Sequence, residues 1–425
     1  AEFAADLAQL LSGKAEPEYQ DANEFFSRTY LTEGMKLLLA SSLRRACNIN
    51  GEPVIQLKTA FGGGKTHTML ALYHLFNDPT IENHDTVKEV LNYVHVNKIP
   101  KANVAVLVGT DIDAAKPRTI PGFKHKINTL WGYMAYQLGG QDAFELVEDA
   151  DKKGIAPGAD TLVEMFNSFG PCIILIDELV AYARNIYNKD GLPCGSFESL
   201  MTFVQNLTEA TKRSKNSTVI AAIPESNIEI GGEGGQAALE RIDHIFKRVE
   251  AMWKPVKANE GFEIVRRRLF EPVKDEKAKE EVCKKFSQFY AKSSNGFPSE
   301  CKELAYFERL KESYPIHPEI FDRLYNDWST LEKFQRTRGV LRLMAATIHQ
   351  LWISGNKSAM IMPGDVPLES PNVRNELTSY LSDEWNGIVD NDIDGERSEP
   401  KRLDESNKRF GMSMAARRVA RTIFL

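Results

Sequence analysis

Five cysteines in 425 residues, Cys47, Cys172, Cys194, Cys283 and Cys301, are scattered with no CxxC spacing, and no cluster of histidines accompanies them. That argues against a disulfide framework and a structural zinc site, and it fits a reducing cytoplasm. No run approaches the ~18 apolar residues of a membrane span, and no signal peptide opens the chain. An excess of positive charge is missing too. Lys and Arg number 53 against 59 Asp and Glu, a formal net charge of −6. A surface that coats nucleic acid is therefore not expected, although a local basic patch is compatible with the balance. Gly231, Gly232, Gly234 and Gly235 form no dinucleotide fingerprint, because strand–turn–helix context and GxGxxG spacing do not coincide there, and they read as a flexible loop. What is present is 42% hydrophobic and 26% charged residues, the balance of a soluble globular protein. The length predicts about two to three domains.

The chain is organised around Val54–Leu70, VIQLKTAFGGGKTHTML. A short strand runs into three glycines, then into Lys65, Thr66 and a helix-compatible tail, the layout of a phosphate-binding loop. Phe61, Gly62, Gly63, Gly64, Lys65, Thr66 and His67 are the candidate phosphate-binding residues. Lys65 is suited to reach the β- and γ-phosphates of ATP, and the Thr66 hydroxyl to coordinate Mg²⁺. Glycines let the backbone take positive φ and approach a phosphate closely. Thr59 stands where the generic motif has its first glycine.

Upstream, residues 1–50 read as a helical lead-in packed on the core, with Thr32 capping the helix that carries Met35, Leu38, Leu39 and Leu43 on one face. Downstream, Ala102–Gly109 reads as a buried strand, Thr110–Lys126 as a loop or insertion, and Ile127–Leu138 as a helix. Ile173–Glu178, IILIDE, is a fully buried strand ending in two carboxylates. This is the Walker B pattern: Asp177 for the Mg²⁺ shell, Glu178 to orient and deprotonate the attacking water. Ser217–Ser226 is the next buried strand. In an additional-strand ATPase the strand between the P-loop and Walker B strands ends in a γ-phosphate sensor. Glu225, Ser226 and Asn227 are the candidates, with a simple cap as the alternative.

Gln236–Glu250 reads as a charged helix leading into a short strand at Ala251–Val256. Arg248 and then Arg241 are candidates for an arginine reaching a neighbouring subunit's γ-phosphate, since the guanidinium fork meets phosphate oxygens bidentately. A solvated helix face is the plain alternative. From Ala258 the pattern is all-helical, as in a lid over nucleotide. On the helix from Thr337, Arg338 or Arg342, or nearby Arg336, is a candidate second sensor. Residues 362–408, rich in Pro, Asp, Asn and Ser, read as a linker or mobile loop. The basic ending MSMAARRVARTIFL stops abruptly, which predicts further protein beyond it.

The order of these pieces resembles the AAA+ superfamily. The wording of QDANEFFSRTYLTEGM, TAFGGGKTHTMLALYHLF, LWGYMAYQLGG and FQRTRGVLRLMA resembles the prokaryotic domain-of-unknown-function family four-nine-nine. The expected fold is thus α/β: a P-loop NTPase core of the additional-strand, AAA+-like type with a parallel sheet, followed by an all-helical lid. The expected divisions are 1–50 lead-in, 51–257 core, 258–360 lid, and 361–425 linker and start of a further region. The resemblance implies an ATP- and Mg²⁺-dependent ATPase, a homo-oligomer, acting with other proteins and DNA in phage-defence or DNA-modification systems.

Overall fold

Five short runs of small, β-branched and aliphatic residues make one sheet: β1 Val54–Thr59, β2 Asn103–Val108, β3 Cys172–Asp177, β4 Thr218–Pro224 and β5 Ala251–Trp253. In the computed structural model, which describes residues 5–59, 64–224, 231–247, 251–253, 260–293, 296–331, 334 and 336–425, the strand order is β2-β3-β4-β1-β5. Every neighbouring pair is parallel, with Val54 opposite Val219, Ile174 opposite Val219, and Val108 opposite Asp177. Parallel strands need crossover connections, and helices on both faces then force both sides of each strand to be apolar.

The side-chain alternation makes this explicit. Ala105, Leu107, Ile174, Ile176, Val219, Ala221 and Ile223 enter one core. Ile55, Leu57, Val106, Val108, Ile173, Leu175, Ile220 and Ala222 enter the other. The second of these cores is covered by the N-terminal helices α1 Leu7–Leu11, α2 Ala22–Arg28 and α3 Glu33–Ala46, together with α4 Lys65–Asn77. The Thr32 hydroxyl caps α3 by accepting from the Met35 amide at 3.1 Å. The first core is covered by α5 Leu130–Glu145, α6 Leu179–Ile186, α7 Phe197–Arg213 and α8 Gly232–Lys247.

Two readings of loops are corrected here. Gly232, Gly234 and Gly235, expected in a flexible loop, open α8. A Cβ on Gly234 would stand 2.9 Å from the Tyr187 ring, so its bareness serves close packing. Residues 362–408, expected to be a linker, carry helices at Pro371–Thr378 and Glu399–Ser406. Their prolines sit in the first helical turn, where no amide is needed.

The chain divides into two compact units, residues 5–257 and 258–425. Among its described residues the second unit contains helices and a single isolated bridge, Ile316 to Ile361. Its main core joins Ile316, Phe321, Leu324, Val340 and Met344 of the middle helices to Val366, Leu368, Val373, Leu377 and Val389 of the supposed linker. The helix α9 Arg336–Ile353 runs through it, and α10 Ala415–Phe424 closes the unit.

Candidate functional site

In a parallel sheet the carboxyl ends of the strands are where loops can gather side chains around a ligand. Here β4 lies between β1 and β3, so Thr59, Pro224 and Asp177 end on the same edge. After β1 the chain re-enters the described residues at Gly64, whose φ of 82° is left-handed and suits glycine. Gly64 caps α4, and Lys65 and Thr66 fall in its first turn, where amides have no acceptor inside the helix. Phe61, Gly62 and Gly63 lie outside the described residues, as do Glu225, Ser226, Asn227 and Arg248.

The decisive contact joins the two motifs. Thr66 Oγ1 donates to Asp177 Oδ2 at 2.9 Å. Asp177 is 7% exposed, and burial pushes its carboxyl up to about 6; the nearby Glu178 charge adds to this, while the Thr66 hydroxyl, the Glu178 amide and Lys65 pull downward. The Asp177 carboxylate therefore carries a charge its own surroundings under-compensate. Beside it is a hydroxyl oxygen, and no group of three or more acidic, His or Cys side chains among the described residues could hold a metal unaided. Two hard oxygen donors with room for water and phosphate oxygens is the arrangement that suits Mg²⁺.

Glu178 takes a left-handed φ of 54° as it caps α6, an uncommon conformation for a long side chain. Its amide donates to Asp177 Oδ1 at 3.0 Å, and its carboxylate accepts from the Thr110 hydroxyl. Thr110 follows Gly109, where a Cβ would stand 2.2 Å from the Glu178 carbonyl oxygen. Gly109 and Thr110 are neighbours of Glu178 that sequence reasoning missed. Their one signal was their position immediately after a buried strand.

These groups line a cavity of about 460 Å³. Thr66, Val108, Thr110, Asp111, Asp177 and Glu178 form one side, and Ala5 to Lys14 around α1 form the other.

Two family descriptions cover the chain: the DUF499 N-terminal domain matches residues 1–264, and the DUF499 second domain matches residues 257–425. The chain belongs to the DUF499 family. No curated protein matches it. The join between the two DUF499 matches coincides with the division of the chain into its two units.

Within this DUF499 chain the remaining candidates are dispersed. His67, expected beside phosphate, turns instead toward the N-terminal helices: its Nε2 is 3.0 Å from Thr29 Oγ1 and its ring 4.6 Å from that of Phe25. Successive helix residues point about 100° apart, so His67 leaves the side that Thr66 faces. Arg241 forks onto Glu198 at 2.8 and 3.2 Å and lines a different cavity, of about 830 Å³, between α6, α7 and α8. Arg338 belongs to the second unit, and its Nε is buried with no hydrogen-bond partner among the described residues. Arg342 forks onto Glu376 at 3.0 to 3.3 Å.

The basic C-terminal segment is also spoken for. Arg417 and Arg421 donate to Asp394 at 2.9 and 2.8 Å and both pair with Glu369, and Arg418 pairs with Asp365 at 3.2 Å.

Proposed function

We propose that this chain is a Mg²⁺-dependent ATPase of the additional-strand, AAA+-like kind, with a P-loop at residues 59–66 and a Walker B strand at 173–178. The observation that carries this is the hydrogen bond between Thr66 and Asp177, side chains 111 positions apart in sequence. It brings a helix-start hydroxyl and a strand-end carboxylate to one point, beside a lysine at a helix N-terminus. The strand order supports the same reading, because β4 separates β1 from β3 as an additional strand does.

The roles follow from the chemistry of each group. Lys65 and the first amides of α4 bind the β- and γ-phosphates. Thr66 and Asp177 hold Mg²⁺, which when bound neutralises phosphate charge. Glu178 orients the attacking water and takes its proton, and the Thr110 hydroxyl fixes where that carboxylate points. Nucleotide turnover then acts as a switch or motor, in a homo-oligomer working with partner proteins on DNA. Arg417, Arg418 and Arg421 of the basic C-terminal segment are paired with carboxylates of their own unit, which gives no support to nucleic-acid binding by that segment.

Two substitutions test the proposal. Glu178→Gln is expected to bind ATP normally and turn over at least ~100-fold more slowly, and Lys65→Ala to lose ATP binding. Unchanged hydrolysis in the first, or unchanged affinity in the second, overturns the assignment. Stimulation of turnover by duplex DNA identifies the partner, and a rate per chain that rises with protein concentration reports the oligomer.

A further inference from the structure

Lys65 serves the β- and γ-phosphates in the proposed reaction, and a further cation at the departing group adds to it; no described arginine lines the cavity of Thr66, Asp177 and Glu178. As water attacks the γ-phosphorus, its proton passes to Glu178 and the bond to the bridging oxygen breaks. The electron pair, and with it negative charge, moves onto the departing ADP. A fixed positive group there stabilises the transition state more than the ground state. Arg241 is committed to Glu198 at another cavity.

We infer that Lys14 of the same chain is this cation, a further catalytic residue presented by the N-terminal segment. The inference rests on the ATPase reading. Lys14 is the one lysine or arginine among the described residues that line the cavity of Thr66, Asp177 and Glu178. The other charged lining groups are Asp6, which caps α1, Asp111, which pairs with Arg118 at 3.3 Å, and the Asp177–Glu178 pair. Among the described residues the Lys14 ammonium makes no hydrogen bond or ion pair, and its charge is available to a ligand.

The backbone that carries Lys14 is built rather than draped. A five-residue helix cannot hold itself together. Leu7 and Leu10 are 1% and 3% exposed, and their burial anchors the helix on the core beneath it. The Asp6 carboxylate caps the start by accepting from the amides of Ala8 and Gln9 at 2.8 and 3.1 Å. At the other end Gly13 adopts a φ of 69°, its amide donates to the Leu10 carbonyl at 3.1 Å, and the Lys14 amide donates to the Gln9 carbonyl at 2.9 Å. That pair of bonds is a Schellman closure, which fixes the direction in which the chain leaves the helix. Lys14 is the first residue after the left-handed glycine. Capping, burial and the closing turn together fix the backbone that brings Lys14, an exposed side chain, to the wall of the same chain's cavity.

The test is Mg²⁺-ATP turnover by the full chain. Lys14→Ala is expected to lower kcat about 100-fold while KM changes little, as for a group acting in the transition state. Lys14→Arg is expected to keep most of the rate. Affinity for ADP with aluminium fluoride is expected to fall in parallel with kcat in Lys14→Ala, with affinity for ADP unchanged. An equal mixture of Lys14→Ala and Glu178→Gln chains is expected to stay as slow as the two alone, because both groups serve one chain's site. Wild-type turnover by Lys14→Ala, an unchanged aluminium fluoride complex, failure of arginine to rescue, or restored activity on mixing each overturns the inference. If Lys65→Ala and Glu178→Gln are crippled while Lys14→Ala is not, the ATPase reading stands and this one falls. A wild-type chain that neither binds nor hydrolyses ATP removes both.

Discussion

Asp394 in the second unit and Asp177 in the first are both buried aspartates, and their surroundings treat them oppositely. Asp394 is fully buried between Arg417 and Arg421, accepts a guanidinium bond from each, and takes a third bond from the Glu369 amide at 2.7 Å. Asp177 accepts from one hydroxyl and from its neighbour's amide, and burial raises its carboxyl to about 6. A buried charge whose cations are covalently part of the same unit is a clasp. A buried charge short of cations, at a strand end beside a cavity, is suited to the cation-binding role proposed for Asp177.

That contrast can be broken by exchanging what each aspartate lacks. The largest effect is expected at the clasp. Asp394→Ala leaves two buried guanidinium groups with only the half-exposed Glu369 as partner and should destabilise the second unit by about 3–5 kcal/mol, read as an earlier urea midpoint of the full chain. A loss below about 1 kcal/mol, the size of an exposed pair, would reduce the cluster to surface decoration.

Acid should distinguish the units next. His317 is buried, its Nδ1 accepts from the Glu319 amide at 3.2 Å, and its Nε2 therefore carries the hydrogen donated to the Tyr290 hydroxyl at 2.9 Å. Burial holds this imidazole down at about 4; Asp322 opposes the shift and Arg309 adds to it. The unfolded chain takes up its proton near the ordinary value of about 6.5 and the folded chain only near 4, so stability falls as pH drops between those values and levels off below. The expected loss is about 3 kcal/mol, measured by urea unfolding from pH 7 to 4. His317→Gln should flatten that part of the curve, and an unaltered slope would remove His317 as its source.

The smallest effect has the opposite sign. Asp177→Asn removes an under-compensated charge and should stabilise the nucleotide-free protein by about 1–2 kcal/mol while weakening Mg²⁺-dependent nucleotide binding. A destabilised Asp177→Asn chain would mean that Asp177, like Asp394, serves the fold.

The reach of sequence reasoning follows the same division. The strands were legible because strands buried on both faces are nearly continuous apolar runs, as in β3, and a carboxylate pair at the end of such a run has few purposes. The capping role of Thr32 was legible because a cap is local. Residues 362–408 were misread because their prolines and aspartates, loop-formers by composition, are used as helix starts and as an ion clasp whose partners lie in α10. The turn of His67 toward Thr29 and Phe25, the Thr110 bond to Glu178, and the position of Lys14 depend on chain segments distant in sequence meeting at one edge. No local pattern encodes those meetings.

The placement of β4 between β1 and β3 has a consequence for synthesis. The strand that leads to Lys65 and the strand that ends in Asp177 share no edge, and each is paired through β4, which is translated after both. The ribosome must therefore deliver the chain through Pro224 before the two halves of the site can be zipped into register. Until then β1 and the β2–β3 pair expose unpaired edges of apolar sequence. The nascent first unit is vulnerable to mispairing over most of its length, and its site comes into being late and all at once.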